Sequence, residues 1–122
     1  MSEVNLRSFG YQESVAVTGA KALAIADQGV VQDVTPTAAT AVITLPATVV
    51  GYSFTVRVGA PGKTISVAPN ASDLIAGNGF TAADNKSLIF TNQPAGSFVT
   101  LIGNGTTGWN VVGISGEATR EA

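Results

Sequence analysis

The chain has 122 residues, enough for one domain with a real core, and only 11% of them are charged, against roughly 25% in an average soluble domain. A net charge of -2 and a sequence pI near 4.8 leave neither a basic footprint for nucleic acid nor a polybasic face for a membrane. The absence of Cys and His removes disulfides, thiol chemistry, thiolate metal sites and the commonest general base, so no cofactor and no enzymatic activity are expected.

In chain order, the first stretch, up to about Asp33, is the most charged, with Glu3, Arg7, Glu13, Lys21, Asp27 and Asp33. It reads as an extended arm with leading strands over residues 1–28. Its start shows no cationic segment followed by an apolar one, so synthesis in the cytoplasm is expected. Leu6, Phe9 and Tyr11 are large apolar side chains on a segment without a strong repeating pattern, and they need something to cover them. With Arg7 they are the candidate contacts to a neighbouring subunit or partner surface. Gly19 and the alternation of Leu23 with Ile25 favour two extended segments here over an alanine-rich helix.

From Gly29 onward short strands are expected at close intervals: residues 29–34, 41–45, 52–58 and 64–68, ended in turn by Thr35-Pro36, Pro46, the Gly59-Ala60-Pro61-Gly62 turn and Pro69-Asn70. Tyr52, Phe54, Val56 and Val58 alternate with Ser53, Thr55 and Arg57, which places the first set on a buried face. Residues 73–75 form a short strand or turn, and strands at 87–91, 97–102 and 109–114 complete the set. Within 97–102, Phe98 and Ile102 lie on one face and Val99 and Leu101 on the other, the pattern of a central or doubly covered strand. Such spacing describes an all-β domain, a small β-sandwich or jelly-roll-like fold over residues 29–116, with a C-terminal tail at 117–122. No internal repeat of fixed period is apparent.

Candidate chemistry is sparse. Asp73, Asp84 and Glu117 are better read as solvated turn residues than as the paired carboxylates of a glycosidase. Asp73, Asn78 and Asp84 match no calcium-loop spacing. Gly77-Asn78-Gly79 and Gly103-Asn104-Gly105 are followed by neither Lys-Ser/Thr nor a helix, so they read as hairpin turns and not as phosphate loops. Trp109 and Phe80 are candidates for core or interface packing. Arg57 and Lys63, the only charges between Val34 and Ser72, are possible polar contacts to an acidic partner surface.

Several segments carry a resemblance: Gly29-Val30-Val31-Gln32-Asp33-Val34, Val42-Ile43-Thr44-Leu45-Pro46-Ala47, Val50-Gly51-Tyr52-Ser53-Phe54-Thr55-Val56 and Ile65-Ser66-Val67-Ala68-Pro69. To these are added Asp73-Leu74-Ile75-Ala76-Gly77-Asn78-Gly79, Gly96-Ser97-Phe98-Val99-Thr100-Leu101 and residues 105–116. In this order they resemble head decoration (cement) proteins of tailed bacteriophages, and also modules of head and tail fibres. The resemblance implies a homotrimer on the outer surface of the virion, bound to the major capsid protein, with no catalytic residues. The alternative it leaves is a head- or tail-fibre module that binds a host surface glycan or receptor.

Overall fold

The computed structural model describes residues 13–77, 79–80 and 85–121. Eleven strands follow one another: β1 (Ser14–Val17), β2 (Lys21–Ala22), β3 (Val31–Val34), β4 (Thr40–Thr44), β5 (Ser53–Val58), β6 (Thr64–Ala68), β7 (Leu74–Ala76), β8 (Leu88–Thr91), β9 (Phe98–Gly103), β10 (Gly108–Ser115) and β11 (Thr119–Arg120), with one 3-10 turn at Ile25–Asp27. They form two sheets, one ordered β1-β3-β5-β9-β10-β7 and the other β11-β8-β6-β4-β2. The fold is an all-β sandwich.

The strand order settles what the sequence leaves open between a jelly roll and another sandwich. Odd-numbered strands β1, β3 and β5 pair in parallel in the first sheet, and even-numbered β2, β4 and β6 pair in parallel in the second. The chain therefore winds from one sheet to the other and back, as a β-solenoid does, and only from β8 onward does it add antiparallel strands. The second and third windings keep a constant offset: Val31 stands beside Thr55, and Thr40 beside Thr64, each 24 residues on. This is a structural repeat that the sequence does not announce. The inward pairs Val34/Val58, Ala41/Ile65 and Ile43/Val67 are apolar in both windings, although Gln32 stands beside Val56; the turns 35–39 and 59–63 have equal length, and of the outward pairs only Thr40/Thr64 is identical.

Residues that the sequence sets apart as flanking segments belong to the sheets. β1 and β2 are the first winding, and β11, within the expected tail, pairs antiparallel with β8. The expected extended run through Leu23 and Ile25 is not formed. Leu23 is buried, whereas Ile25 is 65% exposed on the 3-10 turn, because the chain must bend there to return to the first sheet. A polar cluster closes this end: Lys21 Nζ donates to Oε1 of the fully buried Gln32 at 2.7 Å and lies 3.2 Å from Asp27 Oδ1. That contact satisfies an amide that would otherwise be costly to bury.

The core lies between the sheets and follows the period-2 pattern. Phe54, Val56 and Val58 of β5 face Ile65 and Val67 of β6, Ile43 of β4, and Leu88 and Phe90 of β8, all essentially inaccessible. Strand β9 is central, between β5 and β10, but is covered on one face only: Val99 and Leu101 are buried, whereas Phe98 is half-buried and Ile102 is 36% exposed. The expectation of double coverage is corrected by the absence, among the described residues, of a third layer over the first sheet.

Candidate functional site

The outward positions of the two sheets differ in chemistry. In the second sheet they are Ala22, Thr40, Val42, Thr44, Thr64, Ser66, Ala68, Ile89, Thr91 and Thr119, read from the registers and from alternation with the buried residues. None is charged. Thr40, Thr64 and Thr91 stand side by side across three strands. The outer face of the first sheet is different, carrying Asp33, Arg57, Thr55, Thr100 and Phe98 on neighbouring strands.

On that first face the side chains form a defined arrangement. Arg57 Nη1 donates to Asp33 Oδ1 at 2.6 Å, with the two side chains 39% and 33% exposed. The hydroxyls of Thr55 and Thr100 are 2.8 Å apart, directly opposite each other across β5 and β9. Arg57, Thr55 and Thr100, together with Val31, Gly96 and Phe98, line a shallow groove of about 240 Å³. Gly96 lines its rim with a φ of +98°, a conformation that suits glycine, and a Cβ there would make only an ordinary contact, 3.9 Å, with Arg57 Nη2. Gly113, across β9 on β10, adds no side chain against the Phe98 ring, whose Cε2 would be 3.8 Å from a Cβ there. A second depression of about 410 Å³ lies between Gly79, Phe80, Ile114 and residues 116–119.

The residues singled out from sequence fall in separate places. Leu6, Arg7, Phe9 and Tyr11 lie outside the described residues, as do Asn78 and Asp84. Trp109 is wholly buried, edge-on to Phe54 with ring centroids 5.5 Å apart, so it packs the core and is no surface platform. Its Nε1 is the one buried side-chain polar atom without a hydrogen-bond partner among the described residues. Phe80 is half-buried against the core at the edge of the larger depression. Arg57 and Lys63 are not brought together: Arg57 is on the first sheet, and Lys63 lies in the turn that crosses to the second.

The acidic candidates have structural partners. Asp73 Oδ2 accepts the Thr48 N–H at 2.9 Å, tying the 45–52 connection to the approach of β7. The Glu117 backbone N–H is held by Gln93 Oε1, and its side chain is exposed. Among the described residues no three acids are placed to hold a metal. Of the two expected hairpin turns, Gly103-Asn104-Gly105 joins the paired strands β9 and β10, whereas the one beginning at Gly77 does not, because β7 pairs with β10 in the first sheet and β8 lies in the second. Phe80 N–H bonds Gly77 O at 3.0 Å, and Asn104 Oδ1 accepts from the backbone of Thr106, Thr107 and Gly108 at 2.9–3.0 Å, closing the β9–β10 hairpin.

The groove is the feature that sequence reasoning missed. Phe98, Thr100, Thr55 and Arg57 all stand out as outward positions of strands. Their convergence follows only from β9 pairing antiparallel with β5, which no local signal specifies. Neither protein-family models nor curated proteins contain a match to this chain.

Proposed function

We propose that the chain is a capsid decoration protein, a non-enzymatic β-domain that covers the outer surface of an assembled phage head and braces adjacent copies of the major capsid protein. The observation that carries this reading is the outer face of the second sheet, spanning five strands without a single charge. A soluble domain normally keeps dispersed charge on such a face, and a face without it suits burial against a partner. Hydroxyls of Thr40, Thr44, Thr64, Ser66, Thr91 and Thr119 give this face hydrogen-bonding capacity without desolvated charge.

The mechanism is additive. A homotrimer presents three copies of the face to a fixed lattice, so once one is seated the others bind at high effective concentration. The protein is made in the host cytoplasm and works on the virion surface.

The test is light scattering followed by sedimentation with heads assembled without the protein. A trimer that co-pellets saturably is expected, with co-pelleting lost on Val42→Glu, which places one charge at a 40% exposed position of the face. A monomer that stays in the supernatant, or a Val42→Glu variant that pellets as well as the unmodified chain, overturns the reading.

A further inference from the structure

We propose that the groove on the outer face of the first sheet binds one neutral pyranose ring, so that the sandwich carries a saccharide site on the face opposite the uncharged one. The assignment rests on the side chains that meet there, and does not depend on the decoration reading.

A pyranose presents an apolar C–H face and a rim of hydroxyls that both donate and accept. The groove offers each counterpart. Phe98 is half-buried on the outward face and lines the groove, and Gly113 on β10 presents no side chain against its Cε2 edge. The Thr55 and Thr100 hydroxyls satisfy each other with one hydrogen bond, which leaves one O–H and further lone pairs for a ligand. Arg57 commits Nη1 to Asp33, and its Nη2 lies near Gly96, 3.9 Å from where a Cβ of that residue would stand. A guanidinium has five N–H donors in a fixed fork, so donors remain for a sugar hydroxyl.

Charge selects among ligands. The Arg57–Asp33 contact is a neutral pair, with no second cation among the lining residues Val31, Thr55, Gly96, Phe98 and Thr100. A phosphate or sulfate would meet one cation already compensated by a carboxylate, whereas an uncharged polyol loses nothing by that compensation. Size selects too: about 240 Å³ lies below the roughly 300–1,000 Å³ of pockets that engulf a drug-sized ligand, and it suits a single ring at the end or side of a polysaccharide. The sheet behind is rigid, because Thr55 and Thr100 are register partners in the middle of the first sheet. The site is therefore preformed, and ordering it on binding adds little.

The experiment is ligand-observed saturation-transfer NMR on the full chain. Its probes are the methyl pyranosides of glucose, galactose, mannose and N-acetylglucosamine at millimolar concentration, with amide shift mapping and sodium sulfate as the anionic comparison. The expected result is saturation of the ring C–H protons of at least one pyranoside, with shifts at Thr55, Arg57, Phe98 and Thr100. Thr100→Val and Arg57→Gln should each weaken binding by about tenfold, and Ile25→Ala, on the distant 3-10 turn, should not. Absence of transfer for all four sugars overturns the assignment. So does binding that both groove variants leave intact, or sulfate shifting the groove amides where the pyranosides do not. Folding of each variant is read from the same amide spectrum, and head sedimentation reads the other face, so failure of either proposal leaves the other standing.

Discussion

Replacing Gly108 with alanine tests the parallel contact that ends the first sheet. Gly108 opens β10 directly beside Leu74 of β7, and a Cβ at this position would overlap the Leu74 carbonyl oxygen and lie 2.8 Å from its carbonyl carbon. Backbone atoms cannot rotate away as a side chain can, so the strands must separate by about 1 Å or more to restore contact distance. Separation loosens the bond from Leu74 N–H to Thr107 O, 3.0 Å, and that from Thr48 Oγ1 to Gly108 O, 2.6 Å. Overpacking of about 1–3 kcal/mol and one or two weakened hydrogen bonds of about 1 kcal/mol each give a destabilisation near 3 kcal/mol. In a domain of this size that lowers Tm by roughly 10 °C. Urea unfolding should show a reduced midpoint with an unchanged slope. Gly19→Ala is the control: nothing stands within 4 Å of a Cβ there, and its φ lies outside the positive range. It should leave stability within about 0.5 kcal/mol or raise it slightly, by restricting the unfolded chain. A Gly108→Ala protein as stable as Gly19→Ala would refute the argument from backbone contact.

Asn104 should be the most sensitive polar residue of the β9–β10 hairpin, because one oxygen receives three backbone N–H groups. Asn104→Ala is expected to lose about 2 kcal/mol in urea unfolding and Asn104→Asp, which keeps the acceptor, under about 1 kcal/mol; equal losses would show that the acceptor is not what holds the turn. Trp109 is the only tryptophan and is fully buried, so native fluorescence should be blue-shifted and resistant to iodide, shifting red only on global unfolding. Because its Nε1 has no partner among the described residues, Trp109→Phe gives up none of the hydrogen bonds they make and should lose less than the roughly 3–5 kcal/mol expected for Trp109→Ala. A larger loss for Trp109→Phe would point to an unseen partner for the indole.

Much of the sandwich is legible in particular residues. Alternation along Phe54, Val56 and Val58 names the buried face of β5, and the run Thr64–Ala68 is bounded in sequence by Gly62 and Pro69 as it is in the structure. The hairpin loop around Asn104 is also readable from Gly-Asn-Gly between apolar strands, although the same triplet at 77–79 follows β7, which pairs with β10 and not with β8. In the first winding the same reasoning fails. Leu23 and Ile25 alternate as a strand would, yet they part company, because a cross-over between sheets has to bend where a hairpin would continue.

The order of polar and apolar side chains determined by itself that this is an all-β domain with buried alternate positions, turn-punctuated and poor in charge. Burial and turn chemistry are local properties, written at spacings of two to five residues. Tertiary structure alone decided that the early strands wind in parallel with a 24-residue offset, that Trp109 lies in the core, and that Thr55, Arg57, Phe98 and Thr100 share one groove. Those outcomes depend on which strand pairs with which. Many pairings satisfy the same alternation, and the choice among them rests on the packing of the whole core, in which every distant contact counts together.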